Sequence, residues 1–177
     1  NVSFTRGDQE EAVRENYRRL GAAVGFSCEN LVCSDQTHTT NLRVATEEDR
    51  GKGFTRRKDY TDVDGLVTNV PGLVLATFYA DCVPLYLVDP VRRCIGLSHA
   101  GWRGTAGKIG KKTAELMTEQ YGSRPEDLLA AIGPPICQSC YEVSEDVIEK
   151  FREAFDERFH TELFYEKGGG KYQLNLW

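Results

Sequence analysis

Val83-Pro84-Leu85-Tyr86-Leu87-Val88 and Cys94-Ile95-Gly96-Leu97-Ser98, joined by Asp89-Pro90-Val91-Arg92-Arg93, read as two short β segments around a turn, with Pro90 suited to its second position. This is a hairpin. Upstream, Gly65-Leu66-Val67-Thr68-Asn69-Val70 and Leu73-Val74-Leu75-Ala76-Thr77-Phe78-Tyr79 give two more β segments broken by Pro71-Gly72, too uniformly apolar for an exposed sheet. Helices flank the β segments. Asp8 caps the first, where Val13, Tyr17, Leu20 and Val24 recur at helical spacing before Gly25. A second follows Gly101-Trp102-Arg103-Gly104-Thr105, uses Ile109, Leu116 and Met117 on its apolar side, and ends near Gly122. A third begins at Ser144 with Val147, Ile148, Phe151, Phe155 and Phe159 as one core stripe, and Leu163–Tyr165 and Tyr172–Leu176 flank Gly168-Gly169-Gly170 as a terminal hairpin. The alternation is too irregular for a doubly wound sheet. The expected class is α+β (mixed α/β): one domain over 1–177, with mixed β-sheets flanked by helices.

Composition bounds what such a domain does. With 177 residues, 40% apolar and 28% charged, the chain has material for a hydrophobic core and is not disordered. Its net charge of −5 argues against a protein that coats nucleic acid or an anionic membrane. No window approaches the ~18 apolar residues of a membrane helix. No charged-then-apolar leader precedes the domain, and six cysteines in a domain able to fold without staples point to reduced thiols in the cytoplasm. Both ends, at Asn1 and Trp177, look incomplete.

The hairpin also points to chemistry. With Pro90 and Val91 as its two loop residues, Cys82 and His99 lie directly opposite each other at its open end. A thiolate and an imidazole suit Zn²⁺, and a third protein ligand would leave the open position of a catalytic site. His38 is the natural third, since His160 beside Phe159 looks like a surface residue. The alternative is a packed cysteine and a structurally hydrogen-bonded histidine. Asp81 would orient a ligand or satisfy backbone donors. The Gly-rich turn leading into the second helix would present free N–H groups, and with Arg103, Gly104 and Thr105 would cradle phosphate. Otherwise its glycines serve only a tight turn. Arg43 is a second cation placed near the anion, while Lys108, Lys111 and Lys112 form a wet helix face.

Asp35-Gln36-Thr37-His38, Asp64-Gly65-Leu66-Val67-Thr68-Asn69, Ala80-Asp81-Cys82-Val83-Pro84, His99 to Thr105, and Ile132-Gly133-Pro134-Pro135-Ile136 followed by Cys140-Tyr141-Glu142-Val143 occur in that order. The ordered set resembles the laccase-domain family, described as multicopper polyphenol oxidases, purine nucleoside phosphorylases and peptidoglycan editing factors. The resemblance implies a mixed α/β domain with Zn²⁺ on His38, Cys82 and His99. It also implies cytoplasmic enzymes that phosphorolyse adenosine, inosine and methylthioadenosine, and deaminate adenosine. Nucleoside and phosphate would be the partners. Family members typically add an N-terminal strand and a C-terminal helix. Cys137 departs from the family pattern, and Cys137-x-x-Cys140 reads as incidental; a redox pair, or a structural zinc uniting it with Cys28 and Cys33, is disfavoured.

Other readings remain open at this point. A copper polyphenol oxidase would need more imidazoles than three histidines supply, or an axial ligand for which only Met117 exists. A metal amidase acting on peptidoglycan precursors would use the same zinc, and a Cys82–His99 thiol amidase would need none. A binding module would bind and turn nothing over.

Overall fold

The computed structural model describes residues 1–177. Ten strands and five helices follow one another along the chain. Strands β2 (Leu42–Val44), β3 (Gly65–Thr68), β5 (Val83–Asp89), β6 (Cys94–Ala100) and β7 (Leu129–Ile132) make the principal sheet, ordered β2-β3-β6-β5-β7. Only β2 and β3 run parallel in it. Helix α3 (Ile109–Tyr121) crosses β6, β3 and β5, burying Ile109, Thr113 and Met117. Gly96 permits this approach, because a Cβ there would stand 2.8 Å from Thr113 Cγ2 and 3.1 Å from Met117 Sδ.

The 65–79 segment divides between sheets. Strand β4 (Val74–Ala76) leaves β3 behind and pairs in parallel with β1 (Leu31–Cys33). Helix α1 (Glu10–Val24) packs Val13 and Tyr17 against Leu31 and Cys33. Its expected stripe is shorter than its spacing suggested, since Leu20 and Val24 are exposed. Gln9, not Asp8, occupies the cap position, and the Asp8 carboxylate accepts a bond from Asn1. Gly25, at φ 90°, closes the helix as expected.

A third sheet, ordered β8-β10-β9, comprises β8 (Glu142–Ser144), β9 (Phe164–Gly168) and β10 (Lys171–Leu174). Helix α4 (Glu145–Ala154) lays Val147, Ile148 and Phe151 against it. The five-residue stripe stops early. Extended backbone at Phe155 ends α4, Asp156 caps the next turn, and Phe159 is exposed ahead of the short α5 (His160–Leu163). Tyr172, Leu174 and Leu176 meet Val83, Ala100 and Ile109 in the largest core cluster, joining this layer to the principal sheet beside α2 (Trp102–Ala106). The mixed α/β class is thus observed. No helix is long and apolar enough to cross a membrane.

Candidate metal centre

The β5–β6 hairpin differs from the sequence reading in its turn. Asp89 pairs with Cys94, leaving four loop residues, Pro90 to Arg93, in place of two. The Asp89 side chain causes this: its Oδ1 accepts the N–H groups of Val91 and Arg92, each at 2.8 Å, and Arg93 turns left-handed at φ 55°. His99 therefore faces Pro84, not Cys82. Because the register moves by two residues, the faces are preserved, and Cys82 becomes a diagonal neighbour of His99.

Donor atoms of His38, Cys82 and His99 all lie within 4.8 Å of one another. The two imidazoles meet edge to face at 4.8 Å between ring centres. His99 is buried at the end of β6, Cys82 is half-buried just before β5, and His38 is exposed in the loop between β1 and β2. His38 adopts φ 65°, a conformation that costs a non-glycine residue energy and must be held.

Asp64 holds it. This carboxylate, fully buried immediately before β3, accepts the N–H groups of Thr37, His38 and Thr39 at 3.0, 3.1 and 2.9 Å. Its Oδ1 also lies 2.8 Å from His99 Nδ1, and its carbonyl accepts the His99 N–H at 2.7 Å. Asp62 braces the same loop through Thr39 and Asn41. Burial alone would raise the Asp64 carboxyl, but Thr39, His99 and Thr37 outweigh it and keep the group ionised below its ordinary range. An ionised acceptor at Nδ1 fixes the ring proton there and leaves Nε2 as the free ligand atom, the usual outer support of a metal-bound histidine.

Burial pushes the His99 pKa down, and Asp64 only partly opposes this, which favours the uncharged ring that a metal ligand requires. Burial, Asp81 and Asp64 push the Cys82 thiol up. A divalent cation would reverse that bias, since coordination deprotonates a thiol. Gly101 leaves room for His38 and Cys82. A Cβ on it would stand 3.0 Å from His38 Cδ2 and 3.1 Å from Cys82 Sγ. Two imidazoles and a thiol with one exposed side fit a single ion with an open position.

The proposed phosphate residues are arranged less simply. Arg103 stacks over Trp102 at 4.2 Å and opens on a cleft of about 470 Å³ shared with Lys150 and Glu153. Thr105 lines a different, apolar cavity with Val83, Leu85 and Phe155, and its Oγ1 is buried without a partner. Gly104 is buried, where a Cβ would stand 3.4 Å from both the His99 and Thr39 carbonyls, so it seats α2 against the ligand-bearing backbone. Arg43 is engaged elsewhere: it pairs with Asp49 at 2.8 Å and lies 4.4 Å over the Tyr60 ring, beside Lys52. His160 stays outside the centre, bonded to the Phe155 carbonyl.

Sequence reasoning missed Asp64, although it lies within a quoted motif. An aspartate directly ahead of an apolar strand was the available signal for Asp64. Burial raises the Tyr141 phenol, Cys82 and Asp81 add to this, and Arg103 opposes it; the ring thus stands in the field of both the sulfur and the guanidinium.

Residues 1–177 match the family described as multi-copper polyphenol oxidoreductase laccase. The chain belongs to that family. Among laccase-family relatives, a purine nucleoside phosphorylase of Deinococcus radiodurans is 44% identical over 149 residues, covering 84% of this chain and 54% of that protein. Adenosine deaminase RL5, from an unknown prokaryotic organism, is 38% identical over 149 residues, covering 84% of this chain and 56% of its own. The crystal structure of the Bacillus licheniformis hypothetical protein YfiH matches with a TM-score of 0.92 at 36% identity, covering 99% of this chain and 66% of that one. This laccase-family chain thus spans between about half and two thirds of the length of these relatives.

Proposed function

We propose that the protein is a zinc-dependent, cytoplasmic enzyme of purine nucleosides, phosphorolysing adenosine, inosine and methylthioadenosine and deaminating adenosine. The convergence of His38, Cys82 and His99 on one accessible point carries this reading, with a buried carboxylate fixing the tautomer of His99. A bound Zn²⁺ would supply a Lewis acid that lowers the pKa of an oxygen held beside it. The chain's own contribution is positional: Asp64 keeps His99 and the His38 loop in place, and Gly101 leaves the room they need. Arg103, fixed over Trp102 at the edge of its cleft, would meet the charge of phosphate as a planar fork.

In phosphorolysis a phosphate oxygen bonds to the anomeric carbon, the carbon–nitrogen bond breaks, and the purine leaves with a proton. Deamination instead adds water at the purine C6 and releases ammonia. The names of the relatives support both reactions. Donor supply favours one zinc over several coppers, because these residues converge in one cluster and the third histidine is elsewhere.

The full-length protein, assayed with inosine and phosphate, should release hypoxanthine and ribose-1-phosphate, and with adenosine should release ammonia. Both activities should vanish on chelation and in His99→Ala. No product from the zinc-loaded protein would overturn the proposal. Stoichiometric copper with phenol oxidation, or hydrolysis of a nucleotide-linked muramyl peptide alone, would replace it with the oxidase or the amidase.

A further inference from the structure

Between β7 and β8 the chain makes a single tight turn, Gln138–Cys140, opened by Cys137. The Cys140 N–H donates to the Cys137 carbonyl at 3.0 Å. Such a closed turn holds its end Cα atoms within about 7 Å, close to the roughly 4.4–6.8 Å that a disulfide spans. Both thiols are free and exposed, whereas Cys33 and Cys94 are buried. No third histidine, cysteine or carboxylate joins them in a converging group, so the pair lacks the donors of a metal site.

The two sulfurs are also unequal. The Cys140 side chain, then Ser139, draws the Cys137 thiol below its ordinary range, and Cys137 in turn pushes Cys140 up. The Ser139 Oγ lies 3.4 Å from Cys137 Sγ. Adjacent in one closed turn and both exposed, either thiol can attack and its neighbour resolve. The loop is anchored as well, because Ile136 donates its N–H to the Asp81 carbonyl at 2.9 Å.

We infer, against the sequence reading, that Cys137 and Cys140 form a redox-active dithiol, a second chemical site that closes reversibly through exchange with low-molecular-weight disulfides. One cysteine of the pair, as its thiolate, attacks one sulfur of such a disulfide, forming a mixed disulfide and expelling one thiolate, which takes up a proton. The other cysteine, on losing its proton, then attacks the bonded cysteine sulfur and expels the second thiolate. Two cysteine thiols are oxidised, and one external disulfide is reduced to two thiols.

The test treats the reduced full-length protein with oxidised glutathione, alkylates the remaining thiols, and maps peptides by mass without reduction. The peptide carrying both residues should lose two hydrogens, escape alkylation entirely, and regain both thiols with dithiothreitol. Cys140→Ser should trap one glutathionyl group on Cys137, and Cys137→Ser should trap one on Cys140. Wild-type protein that keeps both thiols alkylatable, or carries glutathione on both without an internal bond, would overturn the inference. A Cys140→Ser variant without an adduct on Cys137 would do the same.

Discussion

Replacing Asp64 by asparagine changes one oxygen for an NH₂ group while keeping shape, and so isolates what the buried charge does. In the native site Oδ2 accepts from Thr37 and Thr39, whereas Oδ1 accepts from His38 and His99. Turning the new NH₂ toward the Oδ1 position sacrifices one backbone bond; turning it the other way sacrifices two. The first arrangement should prevail. There the amide donates to His99 Nδ1, driving the ring proton onto Nε2 and removing the lone pair meant for the ion. Loss of such outer support costs about 10–100-fold in metal affinity, equivalent to about 1.4–2.8 kcal/mol. The unpaired His38 N–H and weakened neighbours should cost a further ~1–3 kcal/mol of folding stability. Zinc titration against a competing chelator, with urea unfolding of the same samples, measures the two effects. A folded Asp64→Asn protein that binds zinc as tightly as the wild type would refute the role assigned to the carboxylate.

Gly101→Ala should weaken zinc binding by more than tenfold while leaving the circular dichroism spectrum intact, because its methyl group intrudes on His38 and Cys82; calorimetric titration checks this. Asp49, buried between Lys52 and Arg43, has its carboxyl held down to about 2 from 3.8 by these partners and Thr46, against the burial that would raise it. A lowered folded pKa stabilises above 3.8, and this stabilisation, about 2 kcal/mol, is lost as pH falls through about 2, so the wild type's advantage over Asp49→Asn in urea unfolding should shrink across that interval. Phe151→Ala, at a fully buried ring in the largest core cluster, should cost about 3–5 kcal/mol in the same measurement.

The principal hairpin was legible because apolar runs and turn residues alternate over a length that only β structure uses. Its register was not, since it depends on which backbone groups the Asp89 side chain captures. The convergence of Cys82 and His99 survived this error because a two-residue slip exchanges neighbours without exchanging faces. The partners of Arg43 were hidden for a different reason: spacing from His38 says nothing about Asp49 and Tyr60, which its guanidinium meets. The end of α4 was also hidden, as helical spacing of Phe155 and Phe159 continues on paper past the point where the backbone extends. Asp64 is the most instructive omission. Its importance arises from four residues that reach it across the fold, and none of them is its sequence neighbour.

One carboxylate tethers both the loop ligand and the strand ligand, so the binding geometry is prepared when the chain folds and not when an ion arrives. Empty and loaded forms should therefore be nearly superimposable. An incoming cation would meet two donors already set in place, with little ordering entropy left for it to overcome.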